Sequence, residues 1–313
     1  MEHFEPAYIK TYKKGLLQEK IKAAYTLLSP CNLCPQKCRV DRLSGETGIC
    51  KTAKHALVSS YNPHFGEEKP LVGTAGSGTI FFTHCNLMCL FCQNFDISHE
   101  GHGQKIAAGE LAAVMLALQR HGCHNINFVT PSHVVPQILS ALEIAIQQGL
   151  SVPLVYNSGG YDLPETLKLL DGVFDIYMPD FKFWSRASAR RLAKAKDYPE
   201  RARTAILEMH RQVGPLQFGR DGLARRGLLV RHLVMPGQAE ETSAILEWIA
   251  SEVSMDTYVN IMGQYRPDYR VGSMSRSAKR QYVDIERTPH QSELVTARGS
   301  AAAAGLWRLD QRW

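Results

Sequence analysis

The stretch Thr79-Ile80-Phe81-Phe82-Thr83-His84-Cys85-Asn86-Leu87-Met88-Cys89-Leu90-Phe91-Cys92-Gln93-Asn94 joins a short apolar run to three cysteines spaced C-x-x-x-C-x-x-C. An apolar run this short, stopped by polar loop residues, reads as a buried strand of a parallel sheet. Similar runs recur downstream at Ile126 to Val129, Val152 to Tyr156, Phe174 to Met178, Leu228 to Val234 and Tyr258 to Met262. Helical periodicities lie between them. Leu111, Val114, Met115 and Leu118 precede the stop signal Gly122; Val135, Ile138, Leu139, Leu142 and Ile146 precede Gly149; Ile245, Leu246, Trp248 and Ile249 repeat likewise. About six strand-helix units predict an α/β chain with a parallel sheet and right-handed crossovers. Eight units would be needed for a closed barrel, so the expectation is a partial, open parallel β/α barrel, with a doubly wound open sheet as the alternative. In both, chemistry belongs at the C-terminal ends of the strands.

Outside this core, residues 1–70 read as a leader, with an amphipathic stretch from Leu16 to Leu28 and a cysteine-rich metal-binding segment from Cys31 to Cys50. Residues 71–270 hold the barrel, and residues 271–313 form a C-terminal extension, polar and then Ala-rich at Ala301 to Ala304. With 313 residues, 44% hydrophobic and 21% charged, the composition is that of a folded globular chain and excludes disordered and fibrous classes. The net charge of +6 is spread along the chain apart from Lys10, Lys13 and Lys14, so no nucleic-acid partner is expected. No run approaches the ~20 apolar residues of a membrane span, and Met1 to Lys14 lacks the apolar centre of a signal peptide. A cytoplasmic protein with no membrane partner is expected. In a reducing compartment eight cysteines are not disulfide material, and seven of them fall in two groups, which points to metal or redox chemistry. Cys123, beside His121 and His124, reads as a small packing residue.

Cys85, Cys89 and Cys92 offer three thiolates. On a four-iron cluster they leave one iron open to an exogenous ligand. The competing reading is a zinc site completed by His84 or His99. The leader's Cys31-x-x-Cys34-x-x-x-Cys38, followed by Cys50 beyond Gly45 and Gly48, supplies four sulfurs and hence a closed site. Tetrahedral sulfur suits zinc and an auxiliary iron-sulfur cluster alike.

The three-cysteine spacing with Phe91 before the last cysteine matches the signature of the radical S-adenosylmethionine (SAM) superfamily. More narrowly, Glu67-Glu68-Lys69-Pro70, Gly76-Ser77-Gly78-Thr79-Ile80, Asn127-Phe128-Val129-Thr130-Pro131, Tyr177-Met178-Pro179-Asp180-Phe181-Lys182, Arg231-His232-Leu233-Val234-Met235-Pro236-Gly237 and Gln264-Tyr265-Arg266-Pro267 resemble proteins of the pyruvate formate-lyase activating enzyme type. The resemblance runs from Cys31 to about Pro267. It implies an oxidoreductase with a 4Fe-4S cluster at Cys85, Cys89 and Cys92. There SAM chelates the open iron and is reductively cleaved to a 5′-deoxyadenosyl radical that abstracts hydrogen. It also implies a reducing partner such as flavodoxin or ferredoxin.

The same resemblance distributes SAM contacts over the strand ends. Val129-Thr130-Pro131 stands where relatives carry a Gly-Gly-Glu-like turn, so Thr130 would meet the SAM amino group in place of the missing acid. Asn157 and Ser158, before Gly159 and Gly160, would meet the ribose, and Phe91 would pack near the cofactor. Asp180 and Lys182 sit two apart and therefore share one side of an extended chain, as an Asp-x-Lys pair near SAM. Arg231 and His232 are neighbours in a strand, so only one faces the interior, and the resemblance favours His232. Asn260, Gln264 and Tyr265 are candidates for substrate contact.

The implied substrate is a backbone glycine of a glycyl-radical enzyme, which predicts a protein-sized opening over the barrel. The alternative is a small molecule or peptide, with the cysteine-rich leader closing the pocket. Pyruvate formate-lyase activase itself has no such leader, and other activases carry their extra clusters after the SAM motif. A reading of another class is an iron-sulfur or zinc protein of electron transfer or interaction, against which the strand-helix repeat speaks.

Overall fold

The computed structural model describes residues 4–275 and 279–310. In chain order the elements are α1 (Ala7–Lys13), α2 (Leu16–Thr26), β1 (Ala56–His64), α3 (Lys69–Val72), β2 (Ser77–Phe82), β3 (Gln104–Ile106), α4 (Ala108–Arg120), β4 (Ile126–Val129), α5 (Val135–Gln147), β5 (Leu154–Ser158), α6 (Pro164–Leu169), β6 (Ile176–Pro179), α7 (Arg186–Ala193), α8 (Tyr198–Val213), β7 (Gln217–Phe218), β8 (Ala224–Leu233), α9 (Ala239–Trp248), β9 (Tyr258–Met262) and α10 (Gln291–Ala303). Strands β2, β4, β5, β6, β8 and β9 run parallel and side by side. Among the described strands β9 pairs only with β8, its other edge meeting a single bridge from Val259 to Leu309, and the sheet does not close, which is the expected open barrel. No helix among the described residues is long and apolar enough to cross a membrane.

Alternation along the strands sorts the side chains. Phe82, Phe128 and Tyr156 point outward beneath the helices and pack with Phe174 and Tyr177, with ring centroids 5.0–6.3 Å apart. Val155, Met178 and Leu229 point inward, and with Leu71 of α3 they fill the barrel's lower end as a small second core. The amide of Asn125, just before β4, donates to the Leu71 carbonyl at 2.9 Å and fixes that plug. The upper, C-terminal end is left for polar groups.

Two features were not legible in the sequence. β1 pairs antiparallel with β2 from within residues 1–70; only Ala56 and Val58 of it are buried and it contains Pro63, the marks of an edge strand without clean alternation. α8 buries a stripe of mostly small or mixed residues, Ala202, Ala205, Ile206, Met209 and Val213, among charges that dilute its apolar signal.

The leader is fastened to the barrel's lower end by α1. Asp175, buried just before β6, accepts hydrogen bonds from the Ala7 N–H (2.8 Å) and the Leu154 N–H (3.1 Å), while the Tyr8 hydroxyl donates to the Val152 carbonyl at 2.9 Å. Burial pushes the Asp175 carboxyl up to about 7, the two N–H groups and Arg226 only partly offsetting it. A carboxyl raised in the folded state binds its proton there while the unfolded chain has lost it. Its contribution is therefore complete below the unfolded value of about 3.9 and is lost as pH rises toward 7. Urea unfolding of the wild type and of Asp175→Asn should show a stability difference that shifts in the variant's favour between those two pH values. A difference independent of pH would mean that Asp175 is ionised in the fold throughout.

Candidate functional site

The C-terminal ends of the parallel strands surround a cavity of about 260 Å³. Cys85, Cys89, Phe91 and Cys92 reach it from the loop after β2, Thr130 from the end of β4, Asn157 and Ser158 from β5, Asp180 and Lys182 from the end of β6, and Arg231 from β8. Residues dispersed over some 150 positions of sequence thus meet on one wall.

The cysteine loop is held at several points. The Asn86 amide donates to the Tyr161 carbonyl (2.6 Å), the Leu90 N–H to Leu192 (2.8 Å), and the Arg270 N–H, from beyond β9, to Leu90 (3.0 Å). Phe91 is buried against Phe183 and Tyr265, each with its ring centroid 6.0 Å away. All three thiols are free. The Leu87 N–H donates to the Cys85 sulfur at 3.3 Å, and the Cys92 sulfur lies 3.0 Å from the Ser98 hydroxyl. Burial pushes the Cys89 thiol up to about 12 against the pull of the Lys182 ammonium, and burial raises Cys85 as well. Thiols in such a place stay protonated unless bound metal neutralises them, and irons do so.

Among the described residues no three His, Cys, Asp or Glu side chains are gathered on the geometry of a single metal ion. In a cubane each thiolate binds a different iron, so three cysteines around a cavity fit a cluster by the chemistry of the donor set. His99 is occupied otherwise: its Nε2 lies 3.1 Å from the Cys89 carbonyl and its ring stacks on Tyr269 at 4.6 Å.

Beside the thiols lies a largely buried charge cluster. Arg231 donates through Nε to Asp180 (2.7 Å) and through a terminal nitrogen to the Asn157 amide oxygen (2.6 Å), with Glu67 at 3.7 Å. Lys182 pairs with the other Asp180 oxygen at 2.5 Å. Burial works against every charge here, yet Arg231 and Lys182 hold the Asp180 carboxyl below its ordinary range, and Asp180, with Glu68 and Glu67, keeps Arg231 firmly protonated. Gly160 makes room for this: a Cβ there would stand 2.1 Å from the Asp180 carbonyl, and the residue adopts φ +75°. Thr130 also has positive φ, +61°, a costly conformation for a β-branched residue, held by its N–H donating to the Asn157 carbonyl at 2.9 Å.

Ser158 lines the cavity, but its hydroxyl donates to buried Asp162 at 2.8 Å and so shapes the turn. His232 does not reach the cavity, which corrects the expectation drawn from the strand pair. Alternation turns Arg231 inward and His232 outward, where Nδ1 is 2.7 Å from the Phe181 carbonyl and Nε2 is 2.9 Å from the Thr242 hydroxyl. With the Nδ1 proton given to the carbonyl, Nε2 accepts from threonine, and burial keeps the ring neutral. His232→Leu should therefore cost about 1–3 kcal/mol of stability in urea unfolding while leaving SAM affinity within about twofold; a large loss of affinity in a folded variant would restore the histidine to the site.

Of the remaining candidates, Gln264 lines the cavity, Tyr265 is buried with its hydroxyl donating to the Ile285 carbonyl at 2.8 Å, and the Asn260 amide donates to Glu68 at 2.8 Å below it. Arg231 and the acidic pair Glu67 and Glu68 were missed as site residues. The signal available was the pairing rule itself: a buried arginine needs carboxylates, and a Glu-Glu pair precedes the first barrel strand.

In the leader, Cys31, Cys34 and Cys50 are buried and Cys38 is half-buried, all as free thiols. Their segment touches the catalytic-side loop: the Gln36 amide donates to the Asn86 carbonyl at 2.8 Å and the Lys51 ammonium to the His99 carbonyl at 3.2 Å.

Residues 79–249 match the family model described as the radical SAM superfamily. An uncharacterized protein of Methanocaldococcus jannaschii is 32% identical over 304 residues, covering 95% of this chain and 81% of the relative. The matched segment begins at the strand that leads into the cysteine loop and ends past the helix after Arg231, so it contains the whole cavity wall from Cys85 to Arg231, and on that agreement of sequence and geometry the chain belongs to the radical SAM superfamily.

Proposed function

We propose that the chain holds a 4Fe-4S cluster with Cys85, Cys89 and Cys92 and SAM in the adjoining cavity, and that it withdraws a hydrogen atom from a partner protein, as activators of glycyl-radical enzymes do. The observation that carries this reading is the meeting of three free thiols, Thr130 and the Asn157–Asp180–Lys182–Arg231 cluster on one cavity. When bound and reduced, the cluster supplies the electron that cleaves SAM to methionine and the 5′-deoxyadenosyl radical. The chain's own residues do the positioning. Thr130 offers its hydroxyl to the SAM amino group, and Lys182, set between Asp180 and the thiols, offers positive charge to the carboxylate. Asn157, its oxygen taken by Arg231, keeps its amide nitrogen for a ribose hydroxyl. Phe91, Leu87 and Leu233 line the cavity with apolar surface that excludes water and stray hydrogen donors.

The partner-protein reading is favoured over a small substrate by the leader's placement. Its helix α2 packs against α5 and α6, and among the described residues none of the first 80 lines the cavity, which speaks against the lid that the small-substrate reading invokes. The electron comes from a reductant of the flavodoxin or ferredoxin type.

Anaerobic reconstitution with iron and sulfide, reduction by dithionite and addition of SAM should yield methionine and 5′-deoxyadenosine by chromatography. Co-incubation with a cognate glycyl-radical enzyme should then give the glycyl signal in electron paramagnetic resonance. SAM cleavage without that signal for any cognate candidate moves the substrate to the small-molecule or peptide class; no cleavage with a fully loaded cluster refutes the cofactor reading itself.

A further inference from the structure

Four cysteines, a buried arginine and two strained turns come together in the leader, away from the cavity. The Cys31 N–H donates to the Val40 carbonyl (2.8 Å) and the Arg39 N–H to the Cys31 carbonyl (3.0 Å), which sets the chain around Cys31 against the chain just after Cys38. The Lys37 N–H closes a turn on the Cys34 carbonyl and the Lys51 N–H closes one on Gly48, each at 3.0 Å. Lys37, Arg39 and Lys51 all adopt positive φ, between +41° and +58°, although none is glycine, and all three adjoin a cysteine. Such backbone persists only where the surroundings over-determine it.

One of the sulfurs attracts a donor. The Ile49 N–H points at the Cys38 sulfur at 3.5 Å. Gly48 lies directly on Cys38: a Cβ there would stand 2.5 Å from its sulfur. Neutral thiols are poor acceptors, whereas N–H groups aimed at sulfur stabilise metal-bound thiolate.

Arg42 gives independent testimony. It is 1% exposed, and its guanidinium donates to the Ala53 carbonyl from two nitrogens, at 3.2 and 3.0 Å. Among the described residues no carboxylate is ion-paired with it, and the carbonyl it holds lies three residues past Cys50. A buried cation needs countercharge. Four thiolates on a divalent ion, or on an iron-sulfur cluster, carry a net negative charge and would provide it.

We propose that Cys31, Cys34, Cys38 and Cys50 form a four-thiolate site for a thiophilic metal centre, with Arg42 as its buried countercharge, and that this centre braces the Cys85–Cys92 loop. The sulfurs are not gathered on one ion in the present geometry, and a change of χ1 moves a cysteine sulfur without moving its backbone. The brace is built from residues next to the ligands. Gln36, between Cys34 and Cys38, holds the Asn86 carbonyl beside Cys85, and Lys51, following Cys50, holds the His99 carbonyl, whose ring in turn contacts the Cys89 carbonyl. The site is independent of what the second cysteine loop carries.

The test uses the full chain with Cys85, Cys89 and Cys92 all changed to serine, so that only the leader can bind. Offered zinc alone, and in a separate anaerobic arm iron with sulfide, this protein should retain about one zinc, or iron and sulfide in equal amounts, per chain after desalting. The arm that loads decides between the two centres. Adding Cys34→Ser and Cys38→Ser should abolish retention, and Arg42→Met should weaken zinc binding about 10- to 100-fold in competition with a chromophoric chelator, the size of an outer-shell effect. No retention in either arm, or binding untouched by both sets of substitutions, overturns the site. For the brace, in the chain with its native loop, stripping the leader metal should raise hydrogen exchange of residues 84–92 about tenfold. Gln36→Ala with Lys51→Ala, metal retained, should do the same even if the cysteine variants fail to fold. Unchanged exchange in that double variant overturns the brace.

Discussion

Cys89→Ala protein, reconstituted anaerobically with iron and sulfide, should assemble no stable four-iron cluster and should release 5′-deoxyadenosine at less than about a thousandth of the wild-type rate. Three cysteines already leave one iron for the exogenous ligand, and loss of another thiolate leaves two irons without protein ligands. Cys123 lies at the opposite end of the barrel, near Gly78 where β2 begins, and the other four thiols belong to the leader. His99 is tied to the Cys89 carbonyl and stacked on Tyr269. The substitution removes a single sulfur from a site where burial keeps the free thiol neutral, so the apoprotein should unfold within about 1 kcal/mol of wild type. Cys123→Ala is the control and should leave cluster and cleavage intact. Electron paramagnetic resonance with and without SAM reads the outcome directly. A Cys89→Ala protein that keeps a SAM-responsive four-iron signal would remove the cysteine loop from the proposed mechanism.

The barrel was readable because most inner strands are short, largely buried apolar runs, and the runs at Ile126 to Val129 and Tyr258 to Met262 coincide with β4 and β9. The positions that line the cavity from strand ends were readable too: Thr130, Asn157, Asp180 and Lys182 stand where a parallel barrel must display polar groups. What sequence could not give was parity. Arg231 and His232 are adjacent, and either satisfied the alternation rule; only the carboxylates already inside, Asp180 from β6 and Glu67 from ahead of α3, decide which one turns inward. The same holds for Arg42. Its burial goes with the leader's turns, where Lys37, Arg39 and Lys51 adopt left-handed backbone beside Gly45, although such positions are usually announced by glycine alone.

Arg231→Met should be the most destabilising single change at the site, by about 3–5 kcal/mol. The arginine satisfies Asp180, Asn157 and Glu67 at once, with all three charged side chains no more than 16% exposed. A methionine fills the volume and leaves Asp180 to Lys182 alone and Glu67 without its arginine. Lysine should not rescue it, since a point charge on a flexible stem cannot occupy three acceptors in the plane of a fork. If the cost comes from stranded carboxylates, Asp180→Asn in the Arg231→Met background should add far less than it does alone, with a coupling of about 1–3 kcal/mol in a double-mutant cycle by urea unfolding. The cycle also separates structure from binding: Asp180→Asn frees Lys182 and should weaken SAM affinity in a folded protein, whereas Arg231→Met acts through Asn157 and Asp180. Additive effects of the two substitutions, or an Arg231→Met protein as stable as wild type, would mean that the cluster is solvated and that the cavity's polar wall is not preorganised by this arginine.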